Sequence, residues 1–152
     1  MSFVQDHYPA EYAQCYGCGR LNAAGLHVQT RWDGERGIAV YRPRAEHIAL
    51  PGFVYGGLIA SLVDCHGIGT AAAAAAQAAG QEVGEGFAPR YVTASLHVDF
   101  RRPTPTGVEL ELTARPAEVG ARKVVVEVEV AAAGEVTAAG RVVAVLLPPA
   151  MA

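Results

Sequence analysis

Apolar and polar residues change their rhythm twice along this chain, and the changes predict its elements. From Leu26 to Trp32 they alternate well enough for a strand. Asp33-Gly34 is a strong hairpin signal, and Gly37 to Tyr41 reads as the returning strand, stopped near Pro43. Residues 42–54 then form a connection broken by Pro43, Pro51 and Gly52. At Gly56-Gly57 the period becomes helical. Leu58, Ile59, Leu62 and Val63 spread over one broad apolar arc, while Ser61 and Asp64 lie near the Gly57 direction, with Ala60, Gly67 and Ala71 beside them. The helix is expected to run through the alanines from Ala71 to Ala79 and to end at Gly80, because alanine is the strongest helix former and glycine a favourable C-terminal cap.

After a polar, glycine-containing loop over residues 81–90, alternation returns. Tyr91 to Phe100 predicts a strand with Val92, Ala94, Leu96, Val98 and Phe100 on one face and Thr93, Ser95, His97 and Asp99 on the other. Val108 to Arg115, Lys123 to Ala131 and Val136 to Leu147 follow, separated by the turns at Pro105-Thr106-Gly107 and Ala133-Gly134. Two strands, one long helix and four strands predict an α+β fold: a curved antiparallel sheet of about six strands wrapped around a central helix. That sheet is expected to bury the apolar arc and leave the small-residue side, with Asp64, at an edge or a subunit contact.

Composition narrows the class. At 152 residues, 51% hydrophobic and 18% charged, the chain is long enough for one domain with a real core. We divide it into an arm with a Cys-Gly loop over 1–25, a single domain over 26–147 and a tail over 148–152. A net charge of -3 argues against nucleic acid and anionic membranes as partners. The low-charge run over residues 48–81 is interrupted by Pro51, Asp64, His66 and glycines, so no membrane span is expected. With no signal pattern in MSFVQDHYPAEYAQ, a cytoplasmic location is the expectation.

Three residue groups suggest chemistry. Asp64 is a lone acid on a helix side lined with small residues, which lets a ligand or a second subunit come close. Its alternative is a structural acid that caps or pairs with an arginine at a subunit interface. Ser61, one turn earlier, either touches substrate or bonds back to the helix. His66 falls within the apolar arc and is expected as a buried, satisfied histidine, and Cys65 as core. Cys15-Tyr16-Gly17-Cys18-Gly19 is half a zinc site, a redox pair or a tight structural turn at a site rim. No second Cys-x-x-Cys follows, so the turn is preferred and no metal or cofactor is expected.

The chain resembles the hotdog-fold thioesterases, in the branch near phenylacetyl-CoA thioesterases and human thioesterase-superfamily acyl-CoA hydrolases. The resemblance covers about residues 15–147. It rests on YGGLIASLVD, similar to the family's His-Gly-Gly and the catalytic Asp seven residues on, on TASLHVDFRRPTPTG after the helix, and on the CYGCGRLNAAGL opening. It implies Asp64 as general base or nucleophile, Gly56 as the backbone N–H donor to the thioester carbonyl, and Thr93 as the hydroxyl that helps position water. Gly57, Ser61 and Tyr55 would line the substrate, with Arg101 and Arg102, or Arg122 and Lys123, near the coenzyme A phosphates. Since the family draws the acid and the N–H donor from facing subunits, a homodimer or homotetramer is implied. Two positions depart from the pattern: Tyr55 stands where the family has His, and Ala49 where it has Asn or Gln, with His47 two residues away.

These features predict an acyl-CoA thioesterase. The rivals are a hotdog protein that binds acyl-CoA or another small ligand without hydrolysing it, and a dehydratase, whose chemistry needs a histidine that the helix start lacks. Pocket depth is expected to depend on Phe53, Tyr55, Phe87 and the N-terminal arm.

Overall fold

The computed structural model describes residues 2–84 and 88–152. Phe87 lies outside the described residues. Six strands, β1 (Arg31–Trp32), β2 (Gly37–Tyr41), β3 (Tyr91–Phe100), β4 (Leu110–Val119), β5 (Lys123–Ala132) and β6 (Glu135–Leu146), form one antiparallel sheet in the order β1-β2-β4-β5-β6-β3. One helix, α1 (Gly56–Ala78), packs across it. This is the helix-in-sheet arrangement predicted from the alternation.

The valine-rich strands supply the inner wall. Leu110, Leu112, Val124, Val126, Val128, Val130, Ala138, Val142 and Ala144 are buried against Leu62 and Val63 of α1. The helix is apolar and long enough to cross a membrane, but most of that surface is covered by the sheet. Its small residues serve this packing more than the sequence suggested. A Cβ at Gly67 would meet Val142 Cγ2 at 2.7 Å, and one at Gly140 would meet Val63 Cγ1 at 2.5 Å. Gly67 and Ala71 therefore face inward. Only the first half of the small-residue side stays open: Gly57, Ala60, Ser61 and Asp64 are half-buried. Gly80, at φ +73°, follows the helix end as expected.

The first predicted strand is shorter than its alternation implied. Only Arg31 and Trp32 enter the ladder, because His27 takes a left-handed φ of 58° and the segment before it bonds elsewhere. Leu26 and Val28 donate their N–H groups to Tyr16 and Gly17 carbonyls of the Cys-Gly loop. The hairpin turn spans residues 33–36, with the Asp33 carboxylate accepting the Glu35 and Arg36 N–H groups. The N-terminal arm is built into the core: Val4, Gln5 and Tyr8 are buried, and the Gln5 side-chain amide closes two hydrogen bonds with Thr30.

One irregularity positions a site residue. The β3–β6 register shifts between Thr93 and Ser95, so Thr93 pairs with Ala144 and Leu96 with Val142, both core-facing positions. A bulge at Ala94 thus turns Thr93 towards α1, on the same face as Leu96, Val98 and Phe100. The alternation had placed Thr93 on the opposite face.

Candidate functional site

Asp64 sits in the third turn of α1 with its carboxylate turned to β3. Thr93 Oγ1 donates to Asp64 Oδ1 at 2.5 Å. Burial pushes the Asp64 carboxyl above its ordinary range. The Thr93 bond opposes this, the Cys15 charge adds to it, and the Arg90 cation pulls the other way. Among the described residues no salt bridge holds the acid within the chain. A small cavity of about 170 Å³ opens beside it, lined by Asp64, Thr93, Arg90, Cys15, Cys18 and Cys65 among others.

The helix start forms a second group. Tyr55 caps α1, and Leu58 and Ile59 direct their N–H groups to its carbonyl. The N–H groups of Gly56 and Gly57 therefore have no partner within the helix and carry its partial positive charge. A Cβ at Gly57 would meet the Tyr55 ring at 2.4 Å, so the ring lies over this residue. Phe100 lies near Gly56, 3.5 Å from where a Cβ would be, which puts Arg101 and Arg102 at this same end. Both arginines are exposed, and Arg102 Nη1 pairs with Glu135 at 3.2 Å. Arg101 also lines a larger groove of about 330 Å³ on the outer face of the sheet with His97, Asp99 and Arg141.

Within one chain the two groups stay apart. Asp64 lies eight positions after Gly56, about 12 Å along the helix axis. One set holds Asp64 and Thr93; the other holds Tyr55, Gly56, Gly57, Arg101 and Arg102. Ser61 lies between them, and its hydroxyl donates back to the Gly57 carbonyl at 2.9 Å, the helix-bonding alternative.

His66 is fully buried and spoken for. The Thr30 hydroxyl meets its Nδ1 at 2.9 Å, and its Nε2 faces the Gly37 carbonyl at 3.1 Å. A carbonyl can only accept, so Nε2 carries the proton and Nδ1 accepts from Thr30. Burial holds its pKa down to about 4. His47 accepts the Arg44 N–H on Nδ1, and its carbonyl accepts the Tyr55 N–H, which ties this loop to the helix start.

One neighbour of Asp64 escaped the sequence reading, and another was placed there only as a turn at a site rim. Arg90 carries no motif; only its place just before β3 could have pointed to it. The Cys15 and Cys18 loop was separated from Asp64 by more than forty residues, yet the fold lays it against Cys65.

With this geometry in place, known proteins can be compared. The Thioesterase superfamily model matches residues 51–143. A thioesterase superfamily protein from Shewanella loihica PV-4 is 46% identical, over 93% of this chain and 100% of that one, with a TM-score of 0.69. PaaI of E. coli, from the phenylacetic acid degradation operon, is 18% identical, over 81% of each chain, at 0.65. The smu.793 protein of Streptococcus mutans UA159, bound to acetyl-CoA, is 16% identical, over 79% of this chain and 88% of that one, at 0.65. The last two share the fold. No curated protein matches the chain.

Proposed function

Because the chain belongs to the thioesterase superfamily, we propose that it hydrolyses the thioester of an acyl-CoA to a free acid and coenzyme A. The observation that carries this is the half-buried Asp64, held by Thr93 rather than by a cation, beside an open cavity. As general base, Asp64 takes a proton from water while the water oxygen attacks the carbonyl carbon; as nucleophile, its carboxylate attacks directly. The negative charge that develops on the carbonyl oxygen is met by the Gly56 N–H at the helix start. The C–S bond then breaks and the leaving thiolate takes a proton, from Asp64 where it acted as base and from water where it acted as nucleophile; on the nucleophilic route a water then hydrolyses the mixed anhydride on Asp64 to the free acid. The Streptococcus mutans protein of the same fold carries acetyl-CoA, which supports a coenzyme A ester as the ligand class.

The 12 Å between Asp64 and Gly56 supports a site shared between two copies. β3 is an edge of the sheet, and Leu96 and Phe100 on it are 39% and 55% exposed. Two β3 edges paired antiparallel about a two-fold axis between Leu96 and His97 bring Thr93 of one copy opposite Phe100 of the other. That brings each Asp64 towards the Gly56 end of the second copy and covers the exposed apolar side chains.

A second reading keeps ligand binding and drops hydrolysis; it is favoured by the Tyr55 ring lying over Gly57, at the helix start. Dehydration fits less well, since both ring nitrogens of His66 are already bonded inside the core. Release of free thiol over a panel of aromatic, short and long acyl-CoAs, for wild type and Asp64→Asn, separates the readings. Thiol release abolished by the substitution supports the hydrolase. Acyl-CoA binding without release from any ester supports the binding protein. A monomer by sedimentation with full activity refutes the shared site.

A further inference from the structure

Three thiols from distant parts of the chain converge at the base of the cavity. Cys15 and Cys18 come from the loop before the sheet, and Cys65 from α1, next to Asp64. All three are free, and their sulfurs lie within 4.8 Å of one another, with Cys15 Sγ and Cys65 Sγ 4.0 Å apart. Such spacing is far beyond a disulfide bond of about 2.05 Å. It is close to the roughly 3.8 Å that separates sulfurs bound tetrahedrally at about 2.3 Å from one zinc ion.

The loop is shaped for this approach. A Cβ at Gly17 would lie 2.2 Å from Cys65 Sγ, and one at Gly19 would lie 2.5 Å from the Cys15 nitrogen. The Gly19 N–H donates to the Cys15 carbonyl at 2.7 Å and closes the turn. Side chains at positions 17 and 19 would push the sulfurs apart. The Cys15 and Cys65 sulfurs are within reach of a weak hydrogen bond in which either can donate. Tyr8 adds a separate observation. Its hydroxyl is buried with no hydrogen-bond partner among the described residues, and its ring lies under Arg90, which lines the same cavity.

We propose that Cys15, Cys18 and Cys65 bind one divalent ion of the zinc class through three thiolates, with the fourth position open to the cavity that Asp64, Arg90 and Thr93 line. Thiolate ligands favour zinc or cobalt over magnesium and calcium, which take oxygen ligands. The ion fastens the N-terminal loop to the helix one residue from Asp64, so it sets the wall of the cavity and leaves the acid free for water.

Cobalt(II) is the probe, added to the full-length, reduced protein after its thiols have been counted. One equivalent is expected to produce thiolate-to-cobalt charge-transfer absorption and the intense visible bands of a tetrahedral site, both erased by added zinc. Cys15→Ser, at a half-buried position, is expected to weaken cobalt binding at least about 100-fold with an unchanged circular dichroism spectrum. Cys18→Ser is the second variant, read the same way. Asp64→Asn is expected to keep the absorption, which separates the ion site from the acid. Absence of charge transfer in protein with three reactive thiols overturns the proposal. So does absorption that persists in both cysteine variants, or native protein isolated with one reactive thiol, a disulfide and no metal by mass spectrometry. None of these readouts involves thioester cleavage, so their failure leaves the hydrolase reading standing.

Discussion

Replacing Thr93 by valine removes one hydroxyl and keeps nearly the same volume, so it isolates the bond to Asp64. That bond is 2.5 Å long and points at a carboxylate. Hydrogen bonds to charged groups contribute about 1.5–3 kcal/mol. If the bond holds the acid in its working orientation through the reaction, its loss lowers kcat by roughly 10- to 150-fold. KM is expected to change less than about threefold, because Thr93 touches the acid and not the bulk of the substrate. Thr93→Ser restores the donor and should recover most of the rate. Acyl-CoA binding should be nearly the same in Asp64→Asn with and without Thr93→Val, because the hydroxyl positions the acid and not the substrate. The assay is continuous thiol release followed with a chromogenic thiol reagent. The protein's own three cysteines are blocked beforehand or subtracted. Thermal unfolding of each variant checks that the fold is kept. A Thr93→Val enzyme within twofold of wild type in kcat refutes the positioning role. A Thr93→Ser enzyme as slow as Thr93→Val refutes it as well.

Other substitutions probe the frame. Gly67→Ala places a Cβ against Val142 and should cost about 1–2 kcal/mol in urea unfolding, overpacking outweighing the gain in helix propensity; combined with Val142→Ala it should cost less than the sum of the two. His66→Leu takes the His66 partner from the Thr30 hydroxyl, which keeps only its bond from Gln5, and from the Gly37 carbonyl, and should destabilise by about 2–5 kcal/mol, while the folded fraction keeps its kcat. Leu96→Asp puts a charge at each side of the proposed β3–β3 contact. Sedimentation should then show monomer at concentrations where wild type is dimeric, with thiol release lost in parallel.

The helix and its acid were legible because the signals are local: two glycines, an apolar arc, an alanine run and a motif of fixed spacing. So were the long strands, whose valines alternate over ten residues. The position of Thr93 was not. A bulge adds one residue to one strand, and nothing in TASLHVDF marks which residue it is; once Ala94 is the extra one, Thr93 turns to the helix. The start of the first strand failed for a similar reason, since the left-handed His27 interrupts an alternation that continues past it. The small-residue side was read as a surface, but at Gly67 smallness admits Val142, a contact decided by a strand 75 residues later. The thiol cluster was invisible for the same reason. Cys65 meets Cys15 and Cys18 only because α1 and the N-terminal loop share one end of the sheet.

The strand order also bears on how the molecule assembles. β4, β5 and β6 are joined through residues 120–122 and 133–134 alone, so these hairpins close early and at little entropic cost. β3 must find a strand that begins 35 residues after β3 ends, and α1 must be enclosed before Asp64 and Thr93 can meet. Asp64 and Thr93 thus lie along the seam that this connectivity expects to seal last. Amide hydrogen exchange should show β5 protected to the global limit and β3 opening well below it. A chain stalled with only its hairpins formed would keep much of its strand signature and none of the contact between Asp64 and Thr93.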